Sequence, residues 1–173
     1  MTEDFSHWRE LRRVSECYLV WDEITREAAL FDVPADLDAT MQLIQQEGLQ
    51  LRHVFLTREL SVEPLRAHFP KFLLHTNSKN ALPQHRNRAN DFIHLGSLRI
   101  TNRALVEDKV AYVIGNWPED APHVAIIGNI QGVSKELLRE KILNLPADTL
   151  VCASNAPVTT VAQLTADLNS QPQ

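Results

Sequence analysis

Glycine and cysteine are scarce in this chain, with five and two among its 173 residues. Gly128 and Gly132 stand close together, but no G-x-G-x-x-G run exists to cradle a dinucleotide phosphate. Cys17 and Cys152 lie far apart and form no C-x-x-C pair. Each sits in an apolar, strand-like run and reads as a buried small hydrophobe in a reducing, cytoplasmic setting, with a bridge between the two left open. The seven histidines show neither H-x-H nor H-E-x-x-H spacing, which excludes a sequence-local zinc motif of those types. No apolar run reaches the ~18 residues that would span a bilayer. Residues 1–13 carry charges throughout and have no apolar h-region, so they are not a secretory signal. A basic excess is also missing. The formal charge is -5 and the pI about 5.8, without the electrostatic footprint of a nucleic-acid binder. Neither nucleic acid nor membrane is expected as a partner.

What is present is an ordinary globular composition, 44% hydrophobic and 23% charged. The length suits one domain with a sizeable core. Residues 1–13 read as an N-terminal extension and 14–173 as the domain. Residues 18–21 and 28–33 are β-prone runs joined by the polar turn 22–26, a hairpin. A helix is expected over 36–47, with Leu37, Met41 and Ile44 at helical spacing and Gly48 as its stop. A strand over 52–57 follows. Ser61 then caps a short helix with Leu65 and Phe69 inward, ahead of a strand over 71–76. Strand, helix, strand, helix, strand over 28–76 argues for a layered α/β fold.

Residues 77–91, polar and rich in Asn and Arg, read as a mobile surface loop. A meander of strands is expected at 98–100, 104–106 and 110–114, then a turn at 116–120 and a strand at 123–127. Ser134 caps a helix with Leu137, Leu138 and Ile142 on one face, bounded by Pro146. The last strand falls at 149–153. Thr160 and Gln163 fit a capping box that opens a final helix, with Leu164 and Leu168 inward.

Local motifs in this order resemble the metallo-β-lactamase superfamily, and within it the glyoxalase II-like branch, over roughly residues 14–168. Glu16-Cys17-Tyr18-Leu19-Val20 is similar to the opening N-C-Y-L-V strand. Ala28-Ala29-Leu30-Phe31-Asp32 is similar to the strand that ends in D-P-G, with Val33-Pro34 in place of P-G. Residues 51–57 are similar to the strand that feeds the main metal motif, and 124–129 to the strand that ends in F-T-G-D. Residues 153–160 are similar to the late P-G-H-x-P-x-T-T loop, where Pro157, Thr159 and Thr160 survive. The resemblance implies an α/β fold of the α+β sandwich kind: a minimal version of the four-layer αββα arrangement.

In that family T-H-x-H-x-D-H and later residues hold one or two metal ions, usually zinc or iron, and the metal turns a bound water into hydroxide. Carried onto this chain, Thr57 matches the threonine. Arg58 and Leu60 stand at the first two histidines, Val62 at the aspartate and Glu63 at the third histidine. Leu105 falls on the middle histidine, Asn129 on the bridging aspartate and Asn155 on the last histidine. Only Glu63 could ligate a metal well, and an arginine repels one. The resemblance therefore implies a fold without its metal, its cofactor or its family catalytic residues. Apolar, amide and cationic replacements avoid leaving repelling carboxylates in a desolvated cleft.

The expected function is a non-catalytic binding or regulatory protein whose vestigial cleft takes a small polar ligand, with a second copy of the chain as one partner. Two rivals stand beside it. One is a glyoxalase II/thioesterase-type hydrolase with relocated chemistry on Cys17, Cys152 or a histidine. The other is a scaffold that uses only its surface. Arg58 and Glu63 either pair across the cleft or both face solvent. His75 and His85 either approach across the polar loop or are scattered. Arg86, Arg88, Arg99 and Arg103 either bind an anionic ligand or acidic partner, or form a solvated face. Trp8, Trp21 and Trp117 read as packing or turn residues, with an interface at Trp117-Pro118 as the alternative.

Overall fold

Near-continuous apolar runs such as Cys17–Trp21 and Val110–Asn116 make strands buried on both faces, and two sheets result. The computed structural model describes residues 2–5, 8–89, 91–116 and 122–170. The first sheet runs β1 (Thr2–Phe5), β2 (Trp8–Val14), β3 (Cys17–Trp21), β4 (Glu27–Phe31), β5 (Gln50–Phe55) and β6 (Leu73–His75), in that order. β1 to β4 pair antiparallel. β4, β5 and β6 are parallel, because helices α1 (Asp38–Glu47) and α2 (Glu63–Arg66) carry the chain back between them. The second sheet contains β7 (Phe92–Leu95), β8 (Leu98–Ala104), β9 (Val110–Asn116), β10 (Pro122–Gly128), β11 (Leu150–Ala153) and β12 (Thr159–Thr160). Its order is β12-β11-β10-β9-β8-β7. Helix α3 (Lys135–Lys141) crosses between the parallel β10 and β11, and α4 (Val161–Ser170) follows β12.

Alternation sorts the core into three layers. Tyr18, Val20, Ala29, Phe31 and Phe55 of the first sheet meet Tyr112, Ile114, Val124, Ile126 and Cys152 of the second. The intervening residues Leu19, Leu30 and Val54 pack outward with Leu43, Ile44 and Leu65. On the other side, Val113, Ala125 and Val151 pack with Leu138, Ile142 and Leu168. The layer order is helix, sheet, sheet, helix, an α+β sandwich.

Local signals place the helix ends. Gly48 adopts φ 63° after α1, where a glycine pays no Cβ clash. The Ser134 hydroxyl accepts the Leu137 N–H at 3.1 Å, and the Thr160 hydroxyl accepts the Gln163 N–H at 3.1 Å. Ser61 accepts the Glu63 N–H at 3.4 Å, but Val62 is the residue at the α2 N-cap.

The structure corrects other expectations. The segment read as an extension forms β1 and β2, which pair onto β3, and Leu11 is fully buried. Its charged run R-E-L-R-R hides a strand in which Leu11 packs into the layer between the sheets and Val14 into the α1-side layer. β7 had no counterpart in the sequence reading, and residues 105–106 belong to a turn rather than a strand. The polar segment 77–91 is tied into the sandwich: Thr76 N–H donates to His85 O at 2.9 Å and Asn87 N–H to Thr76 O at 2.8 Å. Cys17 and Cys152 are both free and buried, and Trp21 is buried as well. The turn with Trp117 and Pro118 lies outside the described residues. No described helix is long and apolar enough to cross a membrane.

Candidate functional site

Parallel β4 and β5 end side by side, and their exits are bolted together. Asp32, the residue after β4, is buried with φ 67°, a left-handed conformation that Asp tolerates better than most residues. Its carboxylate accepts the Thr57 N–H at 2.8 Å and the Thr57 hydroxyl at 2.5 Å. Thr57 O accepts the Val110 N–H at 3.0 Å, which joins β9. Gly128, at the end of β10, has φ 60°, and a Cβ there would lie 2.3 Å from Thr57 Oγ1. Gly128 O in turn accepts the Ser154 N–H at 3.0 Å. One buried threonine thus gathers the ends of β4, β5, β10 and β11 and the start of β9. Arg58, Asn129 and Asn155 each follow directly on a member of this knot. Leu105 N–H donates to Lys109 O at 2.9 Å in the turn before β9, and Lys109 Nζ donates to Gln131 O at 2.5 Å.

The side chains then diverge. Arg58 is half-buried, and its charge reaches the Asp32 carboxyl and the Cys17 thiol. Burial pushes the Asp32 pKa up, against the Thr57 hydrogen bonds and the Arg58 guanidinium. Val62 is buried in the α1-side layer and Leu60 packs against it. Leu105 packs instead against the α3–α4 layer, so these three aliphatics do not form one cluster. Glu63 is exposed. The ion pairs among the described residues are Arg26–Glu47 at 3.6 Å and Arg52–Glu27 at 3.4 Å, so of the two alternatives for Arg58 and Glu63 the pair does not form. Arg58 acts instead at longer range, through the electrostatic effect on Asp32 and Cys17. Asn129 is half-buried, and its Oδ1 accepts the Gln131 N–H at 2.9 Å. Asn155 is exposed on an open cleft of about 580 Å³ that Arg13, Ser15, Glu16 and Ser154 also line. Arg13, from the segment read as an extension, donates to Ala156 O at 2.7 Å and Ser154 O at 3.1 Å and lies over the Tyr18 ring.

This donor set does not fit a metal of the implied kind. Arg58, Leu60, Val62 and Leu105 offer no lone pair, and the Asn129 oxygen already caps its own turn. Among the described residues, no group of three or more His, Cys, Asp or Glu gathers in a way that could hold an ion, whereas zinc sites use about three protein ligands or more. The cysteines are poor nucleophiles. Burial, with Asp32 and Glu16 adding to it, pushes the Cys17 thiol up to about 12, and burial also raises Cys152.

His75 has a different partner from the one weighed in the sequence. His53 Nδ1 lies 2.9 Å from His75 Nε2, and His75 stacks on Phe55 with ring centroids 4.3 Å apart. Burial, then the charges of His53 and His85, lowers the His75 pKa to about 4. Burial lowers His53 too. The signal lay in the βαβ reading, since parallel neighbours in register bring residues 53 and 75 onto one face.

Solved structures identify the fold. ETHE1 from Myxococcus xanthus matches at TM-score 0.70 and 21% identity, over 94% of this chain and 80% of that one. A metallo-β-lactamase from Staphylococcus aureus matches at TM-score 0.71 and 16% identity, over 100% of this chain and 63% of that one. TTHA1623, solved in a di-iron-bound form, matches at TM-score 0.62 and 18% identity, over 95% and 96%. The chain therefore has the metallo-β-lactamase fold. No protein-family model matches it, and no curated protein does so significantly.

Proposed function

We propose that this protein is a metal-free member of its fold, a pseudoenzyme whose old active-site end serves binding or regulation rather than hydrolysis. The observation that supports this best is the chemistry of the residues leaving the Thr57 knot. The backbone frame there is closely knit: Thr57 bonds to Asp32, Ser154 bonds to Gly128, and Gly128 packs against the Thr57 side chain too tightly for a Cβ. The positions aligned to metal ligands carry Arg58, Leu60, Val62, Glu63, Leu105, Asn129 and Asn155. TTHA1623 is described as di-iron-bound; this set would hold neither iron. On this reading Arg58 supplies positive charge beside the buried Asp32, where a family member has its metal. The exposed Asn155 cleft then takes a small polar ligand, in a cytoplasmic protein that engages neither nucleic acid nor membrane.

Thermal unfolding with and without a strong chelator tests the proposal. The midpoint stays unchanged if no metal-binding free energy is linked to folding. A fall reversed by zinc overturns it. A broad esterase and thioesterase screen runs alongside, and turnover that survives the chelator would favour the hydrolase with relocated chemistry.

A further inference from the structure

A second cavity, of about 240 Å³, is lined by none of the Thr57-knot residues and draws Gln84, Arg86, Asn87, Arg88 and Asp91 from the polar segment. Its floor is aromatic and aliphatic: Phe55, His75 and Tyr112, with Ile93 and Ile100. Phe55 meets Tyr112 edge-on at 4.9 Å and stacks on His75. The rim is polar and cationic, from Arg86, Asn87, Arg88 and Asn102, with Asp91 as its carboxylate. Phe92 stands at the mouth, 47% exposed despite its size.

Hydrogen bonds hold this rim in place without a ligand. Asn87 Nδ2 donates to Tyr112 OH and to Asn77 Oδ1, each at 2.9 Å. Tyr112 OH donates to Leu56 O at 2.8 Å. Asn102 Nδ2 donates to Arg88 O at 2.9 Å, which fixes the Arg88 backbone. Arg86 spends Nε on Ala81 O at 3.1 Å and Nη2 on Lys79 O at 2.5 Å. The Arg88 guanidinium makes no hydrogen bond within the described residues. Of the four arginines that cluster in the sequence, two therefore reach this rim. Arg103 is used elsewhere, on Lys141 O and Asn144, and Arg99 lies over the Phe92 ring.

We propose that this cavity binds a small planar monoanion of the aromatic carboxylate class, with its ring between the Phe55–Tyr112 floor and Phe92 and its carboxylate on Arg88. Size supports one ring with a short substituent, since drug-sized ligands fill ~300–1,000 Å³. Charge supports a single negative group, because two arginines face one aspartate on the rim and His75 is neutral near neutral pH. The planar guanidinium fork matches a carboxylate. The proposal is independent of the metal-free reading of the Thr57 end.

The test is an NMR titration of the ¹⁵N-labelled full chain with benzoate, with benzyl alcohol and inorganic phosphate as comparators. Benzoate should shift the amides of residues 87–93 and 100–102 saturably. Benzyl alcohol and phosphate should each bind about tenfold more weakly or worse, the loss expected when a charge-assisted contact or an apolar one is removed. Arg88→Gln should weaken benzoate by a similar factor, whereas the distant Arg139→Gln should leave it unchanged. Linear, unsaturated shifts scattered over surface arginines overturn the proposal. So does phosphate binding as tightly as benzoate, which would make the site a simple anion site. A folded Arg88→Gln protein that binds like wild type overturns it as well.

Discussion

Replacing Asp32 by alanine and by asparagine separates the knot from the charge that it carries. The Asp32 carboxylate accepts two hydrogen bonds from Thr57 and sits at φ 67°. In Asp32→Ala the buried Thr57 N–H loses its acceptor, at about 1–3 kcal/mol. An alanine held in the left-handed region adds roughly 1–2 kcal/mol. Asn keeps an oxygen for the N–H, can offer its amide to the Thr57 hydroxyl and tolerates positive φ, so Asp32→Asn should cost under about 1 kcal/mol. The two variants also differ in pH dependence. The folded Asp32 pKa is raised above the unfolded value near 3.8, so the folded state holds the proton more tightly. Wild-type stability then falls as pH rises from about 3.8 through the folded value, and Asp32→Asn removes that decline. Urea denaturation followed by tryptophan fluorescence, repeated between pH 3.5 and pH 7 (about the range that covers the carboxyl titration), reads both effects. An Asp32→Asn protein as damaged as Asp32→Ala would refute the reasoning. It would mean that the negative charge opposite Arg58, rather than hydrogen-bond acceptance, holds the knot.

Further outcomes follow from the same geometry. Gly128→Ala should destabilise by about 2–4 kcal/mol, because overpacking and a left-handed alanine act together where the new Cβ meets Thr57 Oγ1; a loss under about 0.5 kcal/mol in urea melts, the scale of a neutral surface change, would contradict it. His75 titrates at about 4 in the fold against 6.5 unfolded. The unfolded chain therefore takes up protons first, and stability is lost as pH falls from 6.5 through 4. His75→Gln should flatten that slope in melts across the window, and an unchanged slope would show that the His53–His75 pair does not set it. Native protein should react slowly with a thiol reagent until denatured, since both thiols are buried and raised; rapid labelling of the native chain would reopen cysteine chemistry.

The fold was legible where local physics decides structure. Helical spacing with Gly48 places α1, the Ser134 and Thr160 caps place α3 and α4, and strand–helix alternation gives the parallel β4-β5-β6 run. β2 was missed because its charged run leaves Leu11 and Val14 as the apolar marks, and these lie three positions apart and pack into different layers, so no alternation shows. β7 was missed because a four-residue strand after a polar stretch carries too little periodicity to stand out. At the site, the Asp32–Thr57 bond joins two strand exits 25 residues apart. Sequence motifs mark both residues but not their contact. An Arg58–Glu63 pair is one of the two readings left open by the family alignment, which puts both residues in the old cleft. It does not form because α2 begins at Glu63 and leaves that side chain exposed, while Arg58 is half-buried within electrostatic reach of Asp32. The His53–His75 pair depends on the register of parallel strands, which no local pattern encodes.

Elemental analysis of untagged protein, purified without added metal or chelator, tests the central claim most directly. The account predicts well under one zinc or iron per chain, because the positions aligned to metal ligands retain a single carboxylate, Glu63, and it faces solvent. Stoichiometric zinc or iron that survives dialysis against a chelator would contradict it and restore the case for metal-dependent chemistry on this fold.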